Sequence, residues 1–210
     1  MGWRMLMLCP QGTPTFIARD VVSGGQKEGD YKLNPMPQLN QANEAYKDAV
    51  PERLMAFPPN EGEFYSIGRD KPREPFKHRL QYDAESVFWL LLWWAILACP
   101  GGSSPDENEI QEKHWVALAG EQDEKWDPRE HFIRNSLKGV FHPTYEPLQK
   151  LLQDMAKQLR GDHKQSKDEP RQQPDYLHEA FQRLIIEFLF DSYGKPFMVQ
   201  QKGPKSRKAP

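Results

Sequence analysis

The longest unbroken apolar run lies mid-chain, from Val87 to Cys99 (VFWLLLWWAILAC). Every position in it is apolar, so periodicity alone does not separate strand from helix, and length has to arbitrate. The run exceeds an ordinary strand and falls short of the roughly 20 residues a spanning helix needs. Asp83 and Glu85 precede it, and Pro100-Gly101-Gly102 closes it. An Asp at the N-cap accepts a backbone N–H of the first turn, and a Glu in that turn suits the helix dipole. A helix over about 83–99 follows. Being apolar on all sides, it has to be enclosed by protein, which predicts it as the centre of a domain.

Helical patterns resume at about Glu109–Ala119, Pro128–Leu137, Pro143–Leu159 and Pro174–Tyr193. Leu148, Leu151, Leu152, Met155 and Leu159 recur at spacings of three and four, an apolar stripe on one face. Leu177, Phe181, Leu184, Ile185, Phe188 and Leu189 repeat the pattern. Between these two helices, Gly161–Gln173 (GDHKQSKDEPRQQ) reads as a charged, mobile loop, and Gly101–Asn108 as a flexible one. Ahead of the central helix, Val21–Lys77 is rich in Pro, Gly and Asn and poor in periodic apolar residues. It predicts a single short helix near Gln41–Met55, interrupted by Pro51. Strand signals are nearly absent. The pattern therefore predicts a mainly α chain around one buried helix, with a long irregular insert before it. It divides as 1–20, an insert at 21–82, a helical unit at 83–195 and a disordered basic tail at 196–210.

Composition narrows the function classes. With 38% hydrophobic and 28% charged residues, the 210-residue chain has material for one core and much polar connecting sequence. A net charge of -2 gives no basic excess to attract nucleic acid or an anionic membrane, and neither is expected as a partner. The basic tail Gln201–Pro210 is the exception and reads as a solvated end. A protein partner stays open. Cys9 and Cys99 lack metal-ligand spacing and read as free thiols of an intracellular, reducing compartment. Met1–Pro10 is too short for a signal peptide, and Leu6 stands where myristoylation wants Ser or Thr.

Two short motifs bear on chemistry: Gly12-Thr13-Pro14-Thr15-Phe16-Ile17-Ala18-Arg19-Asp20, and Asp83-Ala84-Glu85-Ser86 at the mouth of the central helix. Alone, the first is a common turn and the second a common helix opening. In this order, with the apolar helix after them, they resemble the second half of a protein kinase domain. The pattern from His78 through Asp83, Glu85 and Ser86 to Trp89 and Trp93 is most similar to the fungal-type kinases. The resemblance covers about residues 10 to 190 and implies a helical C-lobe of the protein-kinase-like fold, 1–20 being the end of its activation segment.

The resemblance implies roles by position. Thr13 falls where a hydroxyl bonds the catalytic loop. Phe16 to Ala18 form the floor of the substrate loop, so Thr13, Phe16 and Ala18 are its substrate-side residues. Asp20 takes the place of a Glu that pairs with a buried Arg, here Arg160 or Arg171, and Arg19 departs from the commoner Pro. Asp83 receives backbone N–H groups of the catalytic loop, and Asp20, Asp83 and Ser86 act as structural anchors.

The parts that transfer phosphate are missing from the given residues. A kinase needs a Gly-rich loop, a Lys-bearing strand, His-Arg-Asp-x4-Asn and Asp-Phe-Gly. In the family these precede the Gly-Thr-Pro run, and residues 1–11 supply none. Gly68-Arg69-Asp70-Lys71 is only an echo of one of them. The six histidines are scattered and fit no nucleophile or zinc signature. The expectation is a C-terminal fragment of a fungal-type kinase domain. This chain then has no catalytic residue, metal or cofactor of its own; ATP and Mg belong to the intact family domain. The alternatives are a non-catalytic, kinase-derived protein-binding module and an unrelated helical interaction domain. A lobe without its catalytic loop leaves apolar surface open, which predicts poor solubility as a monomer.

Overall fold

The structure is a computed structural model that describes Ala18, residues 29–67, 78–98, His114, Leu118, and residues 128–161 and 163–194. Thr13, Phe16, Asp20, both cysteines, the loop at 101–108 and the basic tail lie outside the described residues. So does the helix expected at 109–119, apart from His114 and Leu118, which are helical.

The chain runs β1 (Gly29–Leu33), α1 (Asn43–Ala49), α2 (Pro51–Ala56), β2 (Glu63–Ile67), α3 (Leu80–Leu97), α4 (Pro128–Arg134), α5 (Glu146–Gln158), α6 (Glu169–Gln172) and α7 (Tyr176–Ser192). Single 3-10 turns at Pro143–Tyr145 and His163–Gln165 join the later helices. The described residues are mainly helical, as the hydrophobic pattern predicts, and include one small sheet, which it does not. The central run is helical as far as Leu97, and α5 and α7 fall within the expected segments. Pro147 opens the first turn of α5, where its missing N–H has no intrahelical partner to lose.

The core is built on α3. Its buried face carries Ala84, Phe88, Trp89, Leu92, Ala95 and Ile96. These join Phe132 and Ile133 of α4, the Leu148–Leu159 stripe of α5, and Leu177 and Phe181 of α7. Leu137 and Val140 add to this core across a turn in which Gly139 takes φ +76°, a left-handed conformation open to glycine at little cost. The expectation of all-round burial is corrected. Val87, Leu90 and Leu97 are 44%, 49% and 41% exposed, and Val87 and Leu90 form with Leu80 one stripe opposite the buried face. The Leu and Trp content of α3 cannot report which side is covered, because both sides carry it.

Two further expectations are corrected. The described part of 21–82 is not irregular. It folds as two antiparallel strands, with Leu33 opposite Glu63 and Gly29 opposite Ile67, enclosing α1 and α2. Pro51 does not merely interrupt one helix but starts a second, occupying its first turn. Nor is 163–173 a loose charged loop: it buries His163, Ser166 and Arg171. Hydropathy misses both segments because polar contacts hold them.

Candidate functional site

The start of the central helix differs from the expected one. α3 begins at Leu80, with Arg79 at the N-cap and no side-chain cap, so Asp83 is a first-turn residue and not the cap. Its carboxylate is half exposed and faces His78, with Oδ1 3.5 Å from Nε2. Ser86 Oγ donates back to the Tyr82 carbonyl at 2.8 Å, a bond within the helix. Glu85 points inward, buried, and accepts from Trp89 Nε1 at 3.0 Å. The buried Arg129 guanidinium lies 5.7 Å from the centre of a Trp89 ring. Ala18 is buried.

Both arginines proposed for Asp20 have described partners elsewhere. Arg160 donates through Nε to the Ile133 carbonyl (3.1 Å) and through Nη2 to that of Arg134 (3.2 Å). It thereby satisfies carbonyls that the end of α4 leaves open. Burial, and then Arg134 nearby, hold its pKa below the ordinary guanidinium value. Arg171, 1% exposed, donates to the Asn34 carbonyl (3.2 Å) and the Glu61 carbonyl (2.8 Å).

The most developed polar cluster is one the sequence reading missed. Asp175, Glu179, Arg183 and Glu187 recur every four residues along one face of α7 and just before it. Glu179 is completely buried. Its two oxygens accept from Tyr46 Oη at 2.9 and 2.8 Å, from Arg53 Nε at 2.9 Å and from Arg183 Nε at 2.7 Å. Arg53 also pairs with Asp175. Arg183 Nη2 donates to the Phe57 carbonyl at 2.8 Å. Glu187 receives the backbone N–H groups of Asn40 and Gln41, each at 3.1 Å, and of Ala42 at 3.3 Å.

The electrostatics are those of a closed structural network. Burial, and then the Glu179 hydrogen bond, push the Tyr46 hydroxyl up to about 12. Burial alone would lower the Arg53 pKa, but its bonds to Asp175 and Glu179 outweigh this and raise it. Glu63 follows the same logic with opposite sign. Burial favours its neutral form, but the Ser166 hydroxyl and the Lys167 N–H donate to it and, with Arg171, hold its pKa below the ordinary value. Glu179 is completely buried and its oxygens already hold three side-chain donors, so it is closed to a substrate proton and is not placed as a general base. Among the described residues, no three His, Cys, Asp or Glu side chains come together as a metal site. No described helix is long and apolar enough to cross a membrane.

No family model, curated protein or solved structure matches this chain. Function therefore has to be argued from the residues and their placement. The i, i+4 row from Asp175 to Glu187 is the signal by which the network can be found in sequence, but such a row reads equally as a solvated face. Its partners Tyr46 and Arg53 lie far away in a segment without periodicity.

Proposed function

We propose that the chain is the later part of a fungal-type protein kinase domain, a helical C-lobe scaffold that does not itself transfer phosphate. One observation carries the reading. Leu80, Asp83, Val87 and Leu90 form an exposed stripe on α3 opposite its buried face, and Leu97 is exposed beyond Trp94, which packs on the core. A helix at the middle of a core, packed on its later neighbours yet open along an apolar face with an acidic residue in it, has the form of a scaffold awaiting a covering segment. In the kinase reading that segment is the catalytic loop, whose backbone N–H groups Asp83 receives. Asp83 is free to do so, since its one described contact is the long pairing with His78. The order of the motifs around Thr13–Asp20 and Asp83–Ser86 supports the same reading.

The purified 210-residue chain should neither bind Mg-ATP in calorimetry nor transfer labelled phosphate to a protein substrate. Transfer by this chain overturns the catalytic half of the proposal. The ancestry half is tested separately, by translating the genomic DNA upstream of Met1 in all frames. Equivalents of the Lys-bearing strand, His-Arg-Asp and Asp-Phe-Gly should be encoded there, and a stop-ridden upstream region counts against it.

A further inference from the structure

The described molecule has two separate apolar clusters. The large one joins α3, α4, α5 and α7. The small one contains only Met36, Phe57, Tyr176 and Ala180. Two of its members belong to the stretch between β1 and β2, which leaves the sheet at Leu33 and returns opposite it at Glu63. The two ends of this stretch are thus held together by strand pairing, whatever its middle does.

The base is pinned independently of the middle. Asn34 Nδ2 donates to the Lys157 carbonyl (2.6 Å), and Gln158 Nε2 to the Pro35 carbonyl (2.9 Å). Arg171 holds the carbonyls of Asn34 and Glu61. Met36, where the middle begins, donates its N–H to Asn60 Oδ1 at 2.7 Å, a bond that breaks when the middle leaves. The middle, by contrast, is fastened to α7 mainly through ionised groups: Arg53 and Tyr46 on Glu179, Arg53 on Asp175, Arg183 on the Phe57 carbonyl, and Glu187 on the amides before α1. Its apolar contribution is confined to a few side chains: Met36, Ala42, Tyr46 and Phe57 are buried, whereas Met55 is exposed and no residue of α2 is buried.

We propose that residues 36–57 form a strap that leaves α7 as one unit while the β1–β2 sheet and the helical core stay folded, with Glu179 as its latch. Units that open below the global unfolding free energy are those with few buried apolar contacts and much of their attachment in polar groups. Opening returns Arg53, Tyr46 and Asp175 to water, and Glu179 keeps Arg183 as a partner four residues away on its own helix. The loop-closure cost is already met by the paired strands, so opening gains the strap's chain entropy without unthreading the fold. The open state uncovers Tyr176 and Ala180 on α7, apolar surface that the closed state hides. This inference does not depend on the kinase reading.

Amide hydrogen exchange on the full chain, read by peptide mass spectrometry, tests it in the wild type, Arg53→Ala and Tyr46→Phe. Each variant removes an arm of the strap and leaves α7 intact. Peptides from 36–57 should exchange about ten-fold faster in Arg53→Ala, as expected for loss of hydrogen bonds to a charged group, with peptides of α3 and α5 unchanged. Tyr46→Phe should shift the same peptides in the same direction. The proposal is overturned if strap and core peptides accelerate together, or if the strap keeps wild-type protection in both variants. Should Arg53→Ala fail to fold, Tyr46→Phe decides by the same criterion.

Discussion

Gly161 is the residue at which the sheet meets the end of α5. A Cβ built there lies 2.8 Å from Leu33 Cδ2 and 3.0 Å from the Tyr65 hydroxyl. Gly161→Ala should cost about 1–3 kcal/mol in urea unfolding, since the closest atom belongs to the buried Leu33, which has to shift. Tyr46 makes a second prediction at this scale. Its hydroxyl titrates at 10.0 in the unfolded chain and at about 12 in the fold. Below 10 both states keep the proton and the contribution is whole. As pH rises from 10 to 12 the unfolded chain releases its proton first, so stability falls. Tyr46→Phe should lower stability at neutral pH by about 1–2 kcal/mol and lose less than the wild type over that alkaline range, read as thermal midpoints. None of this is visible in the sequence around Tyr46, where Asn-Glu-Ala-Tyr-Lys-Asp reads as exposed helix. Its partner Glu179 is 133 residues away.

The elements divide by what holds them. α5 is legible because its apolar stripe is clean and one-sided, and the structure buries Leu148, Leu151, Leu152 and Met155 of that stripe. α3 is legible as a helix but not in its orientation, since Leu92 and Leu90 look alike in sequence while one is fully buried and the other 49% exposed. Leu92→Ala should cost about 2–5 kcal/mol, the range for truncating a core leucine, whereas Leu90→Ala should stay within about 0.5 kcal/mol, as for a surface change. Equal losses in denaturant titrations would show that the α3 stripe is covered in solution. β1 and β2 were least legible, and α1 and α2 were legible as helix broken at Pro51 but not in their placement. Short strands with Gly, Asp and Lys carry little pattern, and their placement comes from long-range hydrogen bonds to α5, α6 and α7.

At the scale of the whole molecule, the open stripe of α3 and the exposed Leu189, Phe190 and Tyr193 near the end of α7 leave apolar surface facing water. Contiguous apolar surface of more than a few hundred Å² favours association. Light scattering should therefore show mass rising with concentration for the wild type and less so for a Leu90→Lys, Leu97→Lys variant; a concentration-independent monomer would contradict this. The sequence by itself determined that the chain is mainly helical, where its long helices lie and that its core forms around Val87–Cys99, because apolar periodicity and length act locally. Only the tertiary structure decided which side of α3 is buried, that 29–67 folds back onto α7, and that Glu179, Arg183, Tyr46 and Arg53 form one network. Those outcomes depend on contacts between segments far apart in the chain, 133 positions for Tyr46 and Glu179, which no local pattern encodes. Asp83 shows both sides: its place at the mouth of a central helix was readable, and its exposure on the uncovered face was not.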